Sequence, residues 1–161
     1  MTTGGFTSEG LAQEAAILTL PSLDISDALE IGEIAVGLGR ARSLPIAVEV
    51  RLGDWTVFHV SLPGSTTEND RWMARKARVV MAKERSTMFE RVAAEEAGAN
   101  WYQVNSLPEE THAVHGGGFP LNVTGVGMQG VLLISGLPQV QDHLLGVEIL
   151  TEYLARKGEL S

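Results

Sequence analysis

Hydrophobic positions in the first third of the chain repeat with helical spacing and then with strand spacing. From Asp24 to Arg40 the apolar residues share one helical face, and Asp24 is suited to cap the helix N-terminus. Beyond Pro45 the spacing becomes two, as in a half-buried strand. Gly53-Asp54 then allows a two-residue turn into a second β-prone run at residues 55–61. The pattern therefore predicts a helix followed by a β-hairpin.

Two helices are predicted in the middle of the chain. Ser65 begins a capping-box pattern, with a glutamate three residues later, and predicts a helix over residues 65–83. A second helix is predicted over residues 86–97, because Gly98 is suited to end it. Residues 101–110 show no regular period and are interpreted as an irregular connection or a short strand.

The last third combines glycine-interrupted strands with a long helix. Residues 119–135 are β-prone, and the apolar run Val131–Ile134 is typical of a central strand. Pro138 is suited to a helix start, and apolar residues recur with helical spacing from there to about Gly158. Because helices and strands do not alternate regularly, the order predicts an α+β fold, with a mainly antiparallel sheet covered by helices.

The N-terminal segment has the weakest pattern. Residues 1–10 are rich in Gly, Thr and Ser and are expected to form a loose tail, followed by a short helix or leading strand over residues 11–20. We therefore expect a tail and short leading element in residues 1–22 and the domain in residues 23–161. A chain of 161 residues is long enough for one hydrophobic core.

Charge and composition limit the classes of partner. A formal net charge of −8 disfavours nucleic acid, whose phosphate backbone requires a broad positive surface. The absence of cysteine excludes disulfides, thiolate-ligated metals and covalent c-type haem. No apolar run reaches the roughly 18 residues that span a bilayer, and the first ten residues lack a signal-peptide pattern. We therefore expect a cytoplasmic protein without a membrane partner.

The sequence HGGGFP is the most unusual segment. Three consecutive glycines are expected where the backbone takes positive φ or approaches another group closely, and successive N–H groups can form an anion-binding nest. The preceding histidine could act as an acid or base, or bind a metal or haem iron. A tight turn with an exposed histidine is the alternative. The candidate residues are His115, Gly116, Gly117, Gly118, Phe119 and Pro120.

A second candidate cluster lies where a buried strand ends and a helix begins. Ser135 could bind an anion together with the N–H groups of the helix N-terminus. Asp142 could belong to the same site or only complement the helix dipole, which also disfavours a charged imidazole at His143. Ser135 lacks the GxSxG context of a nucleophile elbow.

Basic residues concentrate in one predicted helix. Arg71, Arg75 and Arg78 have helical spacing and would share a face, which could bind an anionic ligand or a second subunit, or remain solvated. His112 and His115, with a third histidine, suggest a metal site by their spacing. The glycines make a helix there improbable, so we predict no metal site.

Taken together, these motifs resemble the signature of the GlcG/HbpS-like, haem-degrading-domain family, and within it a small stand-alone uncharacterised branch. The resemblance covers residues 23–154 and rests on Trp72 with Lys76, on HGGGFP, and on Ser135-Gly136-Leu137-Pro138 followed by Asp142-His143. It implies an α/β/α layered single domain, homo-oligomers of two or more subunits, and haem binding or degradation in some relatives. It also adds Lys76 to the candidate site.

Three functions follow as expectations. The chain could bind haem or another small anionic ligand near the HGGGFP loop, with imidazole for the iron and amides or basic side chains for carboxylates. It could instead be a lyase, isomerase or hydrolase that uses His115 or His143 as acid or base. A third alternative is a non-catalytic oligomeric interaction protein.

Overall fold

Four antiparallel strands form the centre of the fold in the computed structural model, which describes residues 3–159. The strands are β1 (Ala47–Leu52), β2 (Trp55–Ser61), β3 (Gly118–Val123) and β4 (Gly127–Ser135). Their order across the sheet is β2-β1-β4-β3. The predicted hairpin is formed by β1 and β2, and the predicted central strand lies within β4, which pairs with β1 and β3. Both predictions are confirmed.

Helices cover both faces of this sheet. The described residues form α1 (Ser8–Ile17), α2 (Ile25–Ala41), α3 (Thr67–Lys83), α4 (Thr87–Glu96), α5 (Trp101–Asn105) and α6 (Gln139–Arg156). Helices α2 and α6 pack on one face of the sheet, and α3 packs on the other. Met73, Ala77 and Val80 of α3 face the core, as predicted, beside Val131 and Leu133 of β4. The α+β class and the layered arrangement are therefore confirmed.

The predicted ends of α2 and α4 are confirmed. Asp24 accepts a hydrogen bond from the Asp27 N–H at 2.9 Å, and the Asp27 carboxylate accepts one from the Asp24 N–H at 3.0 Å. Ser86 caps α4 by accepting a hydrogen bond from the Phe89 N–H at 3.1 Å. Gly98, with a φ of 66°, follows the C-terminal end of α4. These local side-chain contacts explain why the boundaries could be predicted.

Helix α3 begins later than predicted. Thr66 is its N-cap and forms the capping box with Asn69, so the assignment of the capping box to Ser65 is wrong. The Ser65 hydroxyl instead donates to the Leu62 carbonyl at 2.6 Å. A serine and a threonine are adjacent here, and the turn that ends β2 engages the serine.

The N-terminal prediction needs correction. Residues 1 and 2 lie outside the described residues. Thr7 accepts a hydrogen bond from the Gly10 N–H at 3.0 Å and caps α1, so the predicted loose tail is wrong from Ser8 onward. After α1, the fully buried Leu20 forms a parallel bridge with Val123 of β3.

Helix α5 replaces the irregular connection or short strand predicted over residues 101–110. Asn100 caps it by accepting a hydrogen bond from the Gln103 N–H at 3.1 Å. Trp101 is buried against Val79 and Val114. The helix has five residues, which is too short for a hydrophobic period to appear in the sequence.

Candidate functional site

The glycine segment lies immediately before β3 and contacts protein on several sides. Gly117 has a φ of 122°, in the region that favours glycine. The Gly116 N–H donates to Gln139 Oε1 at 3.1 Å, and the Gly118 N–H donates to Thr87 Oγ1 at 3.0 Å. The predicted anion-binding nest is therefore wrong at these two amides, because protein side chains already accept their hydrogen bonds.

Close packing explains why glycine is needed at position 117. A Cβ at Gly117 would contact the Ile134 carbonyl oxygen and lie 2.8 Å from Lys76 Nζ and 3.1 Å from the Asp142 Cβ. The Gly117 carbonyl also accepts a hydrogen bond from the Ile134 N–H at 2.9 Å. The missing side chain therefore leaves the space in which Lys76 of α3 approaches Asp142 of α6.

A cleft of about 270 Å³ opens where β4 ends and α6 begins. It is termed the polar cleft, and its walls include Trp72, Lys76, His115, Ser135, Gln139 and Asp142. Four of the predicted site residues, on α3, on the segment before β3, on β4 and on α6, therefore line one cleft. Asn69 of α3 also lines it and donates to Ser135 Oγ at 3.4 Å.

A buried ion pair lines the polar cleft. Lys76 Nζ donates to the Ile134 carbonyl at 2.7 Å and to Asp142 Oδ2 at 3.3 Å, and both charged side chains are only 3% exposed. Asp142 Oδ1 accepts a further hydrogen bond from the Leu137 N–H at 3.1 Å. Burial lowers the pKa of Lys76 and raises the pKa of Asp142 to about 6, in each case against the attraction of the partner. Asp142 therefore does more than complement the α6 dipole.

His115 is a half-buried imidazole next to an aromatic ring. The ring centroids of His115 and Trp72 are 4.5 Å apart in an edge-on arrangement, and the Arg75 guanidinium lies 4.4 Å from the Trp72 centroid. Burial, followed by the charges of Arg91, Lys76 and Arg75, lowers the pKa of His115 to about 4. Its Nδ1 is buried and has no hydrogen-bond partner among the described residues. At neutral pH the cleft therefore contains a neutral imidazole that has the Lys76–Asp142 pair in the same lining and two arginines close by.

Two contributors to this environment were not among the predicted site residues. Trp72 supplied part of the family resemblance but was not assigned to the site. Arg91 lies on α4 and was not considered at all, since nothing in the sequence connects it with His115, 24 positions later. Its ion pair with Glu95, at 3.3 Å, is an ordinary helical i,i+4 contact.

The basic face of α3 has a structural role that was not predicted. Arg75 donates to the Glu109 carbonyl at 3.1 Å and 2.5 Å, and Arg78 donates to the Thr111 carbonyl at 3.0 Å. These contacts hold the segment that leads to His115. The face thus positions the imidazole of the polar cleft through backbone hydrogen bonds.

Three further predicted residues, Phe119, Pro120 and His143, line a second cavity of about 210 Å³, whereas the three glycines line neither cavity. It is termed the α1 cavity, and its walls include Leu11, Ala15, Phe89, Phe119, His143 and Leu150, together with Pro120. His143 is 1% exposed, and its Nε2 lies 2.8 Å from Glu14 Oε1. Its ring stacks on Phe119 at 4.9 Å. His115 and His143 therefore line different sites.

Residues 3–159 contain neither a metal-binding cluster nor a helix suited to span a membrane. No group of three or more histidine, aspartate or glutamate residues is arranged to hold a metal ion, and His112, His115 and His143 form no such cluster. None of the helices in that range is long and apolar enough to cross a membrane.

Comparison with protein families gives a match over most of the chain. The model described as "Haem degrading protein HbpS-like" matches residues 23–151. The chain is 41% identical over 139 residues to a UPF0303 protein of Streptomyces avermitilis. The aligned region covers 86% of this chain and 85% of that protein. It is 36% identical over 146 residues to a UPF0303 protein of Rhizobium johnstonii, with coverage of 91% and 90%.

Solved structures with the same fold include three informative examples. The Ybr137w protein has a TM-score of 0.84 at 22% identity, covering 92% of this chain and 88% of that one. The PduOC:heme complex has a TM-score of 0.68 at 21% identity, with coverage of 81% and 94%. A double mutant of HbpS from Streptomyces reticuli has a TM-score of 0.63 at 16% identity, with coverage of 81% and 86%. At these identities the likeness shows the fold.

Proposed function

The chain belongs to the HbpS-like haem-degrading family, as its motifs predicted, and we propose that it binds haem or another small anionic ligand in the polar cleft. The observation that carries this proposal is the concentration of positive charge around a neutral imidazole. Lys76, Arg75 and Arg91 all act on His115, although the chain as a whole has a net charge of −8. Lys76 is paired with Asp142 in the lining of the cleft, so Arg75 and Arg91 beside His115 supply the positive charge that would attract an anion.

Two hydrogen-bonding features of the cleft support an anionic ligand. The Lys76 ammonium has three donors and uses two of them, for Ile134 and Asp142, so one remains for a ligand in the cleft that it lines. The cleft also lies at the N-terminus of α6, where Pro138 provides no side-chain cap. The first N–H groups and the helix dipole there favour negative charge.

Haem is the ligand that family membership suggests, and the donor set of the cleft fits it. The His115 imidazole stays neutral at pH 7, as iron ligation requires, and because its Nδ1 is buried, Nε2 would be the nitrogen offered to the iron. Lys76 would bind a propionate, and the Arg75 guanidinium over Trp72 would add positive charge beside it. When bound, haem would supply redox or oxygen chemistry, and Trp72, which lines the cleft, would add an apolar contact. Because the cleft holds only about 270 Å³, much of the macrocycle would remain outside it.

Titration with haem and with iron-free protoporphyrin tests the proposal. Both carry the same carboxylates, so both should bind, and haem should show a shifted absorption band. His115→Ala should weaken haem binding by about tenfold or more and affect protoporphyrin less, because only haem uses the imidazole. His59→Ala is the matched control, since His59 lies on β2 and pairs with Asp70 outside the cleft.

The outcomes distinguish haem binding through His115 from the binding of anions in general. Equal losses in the His115 and His59 variants would remove His115 from the haem site. If neither porphyrin binds, small carboxylates and phosphate should still raise the melting temperature of the wild type and not of Lys76→Met. If no anion does so, the polar cleft is not an anion site.

We also propose that the chain is a cytoplasmic homo-oligomer. Trp55, which is 59% exposed, lies on β2 at the edge of the sheet and is a suitable anchor for a second subunit. Light scattering at micromolar concentration and physiological salt should give a mass of two subunits or more. A monomer under these conditions would contradict the proposal.

A further inference from the structure

The α1 cavity has the features of a second ligand site, separate in residues and in charge from the polar cleft. We propose that it binds a neutral molecule with a single aromatic ring and one hydrogen-bond donor, of the phenol class. The cavity lies between α1, the start of α4, β3 and α6. Aliphatic and aromatic side chains provide most of its wall, with His143 as the buried polar group.

The size of the cavity limits the ligand to about one ring. Its volume is about 210 Å³. A protein cavity of about 150 Å³ lined by leucine, isoleucine and phenylalanine is known to accept benzene. The α1 cavity therefore has room for a ring with one or two small substituents, and Phe89, Phe119 and Leu150 give such a ring apolar contacts.

The hydrogen bonding of His143 determines which polar group the ligand would carry. A carboxylate can only accept a hydrogen bond, so the contact with Glu14 Oε1 favours the tautomer of His143 that carries its N–H at Nε2. Nδ1 is then an acceptor, and it is buried without a partner among the described residues. A buried acceptor left without a hydrogen bond costs free energy, which a ligand hydroxyl would recover once a small shift of the ring exposes Nδ1 to the cavity.

The charged residues around the cavity favour a neutral ligand. Glu14 and Glu84 line it together with one cation, Arg85, whose guanidinium lies 4.4 Å from the Phe89 centroid. Two carboxylates and one guanidinium give no excess of positive charge. The anionic ligands proposed for the polar cleft would therefore be disfavoured here, whereas phenols, which are neutral at pH 7, would not.

Fluorine NMR with 4-fluorophenol and 4-fluorotoluene provides the test, because the two probes differ chiefly by a hydroxyl and a methyl group. In the wild type both should bind saturably. In His143→Phe the affinity for 4-fluorophenol should fall about fivefold to tenfold relative to that for 4-fluorotoluene, since the hydroxyl loses its acceptor. If the ratio of the two affinities is the same in the wild type and in His143→Phe, His143 does not bind the ligand hydroxyl. The proposed ligand class would then be wrong.

Filling the cavity tests its location independently. Ala12 and Ala15 of α1 line the cavity, whereas the neighbouring Gln13 is exposed and does not. Ala12→Phe should lower the affinity for both probes by about tenfold or more, and Gln13→Phe should leave both affinities unchanged. Ala15→Leu is a milder filling variant if Ala12→Phe does not keep the wild-type circular dichroism and melting temperature. Probe binding that persists in both filling variants would show that the site lies elsewhere. Haem binding is expected to be unaffected by these changes in α1.

Discussion

Two histidines flank the same glycine segment and have opposite electrostatic surroundings. His115 lies beside cations, and these charges act with burial to hold its imidazole neutral. His143 lies against the Glu14 carboxylate in a mainly apolar wall. The HGGGFP motif is common to both sites, so it does not determine what either site binds. The charges contributed by α1, α3 and α4, which are distant in sequence, distinguish them.

The two sites also differ in how far their paired polar side chains are shielded from water. Lys76 and Asp142 are both 3% exposed, so neither charge retains much water. In the α1 cavity, the Glu14 side chain is 27% exposed and keeps part of its hydration. We therefore expect substitutions at the polar cleft to cost more stability than substitutions at the α1 cavity.

The largest effect is expected from Lys76→Met, which leaves Asp142 buried without its cation. The free energy of unfolding at pH 7 should fall by about 3 kcal/mol or more, measured by urea denaturation. Anion binding in the polar cleft should be lost.

A double variant separates stability from binding at this pair. Adding Asp142→Asn to Lys76→Met removes the uncompensated charge and should restore part of the stability, without restoring anion binding. Restored binding would mean that Lys76 does not contact the ligand.

The next effect is expected from Gly117→Ala, where a Cβ would displace Lys76 and meet the Ile134 carbonyl. We expect a loss of about 2–4 kcal/mol in the free energy of unfolding, with a loss of cleft binding that exceeds the loss expected from stability alone. Gly127→Ala is the matched control, because Gly127 has a φ of 105° and an added Cβ there would have no neighbouring atom within 4 Å. It should cost only about 1 kcal/mol and leave binding intact. Equal costs would show that backbone strain, rather than crowding, limits position 117.

A smaller effect is expected in the pH dependence of stability. The folded pKa of His115 is about 4 and its unfolded pKa is about 6.5, so the folded state binds fewer protons between these values. Through His115, the free energy of unfolding therefore increases as the pH rises from about 4 to about 6.5. Asp142, with a folded pKa of about 6, contributes with the opposite sign. Replacing His115 with asparagine removes only the first contribution.

The wild type should therefore gain stability relative to His115→Asn as the pH rises from 4 to 6.5. Because His115 is only half buried, we expect a gain of about 1 kcal/mol. Denaturation at several pH values measures it, and an NMR titration of the imidazole should give a midpoint near 4. A midpoint at the value of free histidine would contradict the cation environment described for the cleft.

The smallest effect is expected from Glu14→Gln, which weakens the contact with His143 in the α1 cavity. The free energy of unfolding should fall by about 0.5–1 kcal/mol, and anion binding in the polar cleft should not change. Glu33→Gln makes the same charge change at an exposed position in the middle of α2 and should have no effect. A change in cleft binding with Glu14→Gln would show that the two sites are coupled.

The elements that could be predicted from the sequence are those specified by neighbouring residues. The β1–β2 hairpin follows from a period of two around Gly53-Asp54, and the start of α2 follows from the Asp24 cap. Helix α5 was missed because it is short, and the start of α3 was misplaced because adjacent Ser65 and Thr66 are equivalent as caps on sequence grounds.

The candidate site could be predicted in part. The sequence motifs predicted which segments form the site. The structure places Lys76, His115, Ser135 and Asp142 in the lining of one cleft. The pairing of Lys76 with Asp142 joins residues 66 positions apart, so it depends on how α3 and α6 lie across the sheet. For the same reason, the separation of His143 from His115 could not be predicted from their spacing.

The bridge between Leu20 and Val123 also has a consequence for self-association of the sheet. Strand β3 is an edge strand, and Leu20 satisfies backbone groups at its far end, where the Leu20 N–H donates to the Asn122 carbonyl at 2.8 Å. Pro120, in the same strand, has no N–H to offer. These features protect β3 against addition of a foreign strand, a common route to aggregation. Intermolecular β-pairing should therefore begin at β2, the opposite edge, when the protein is stressed.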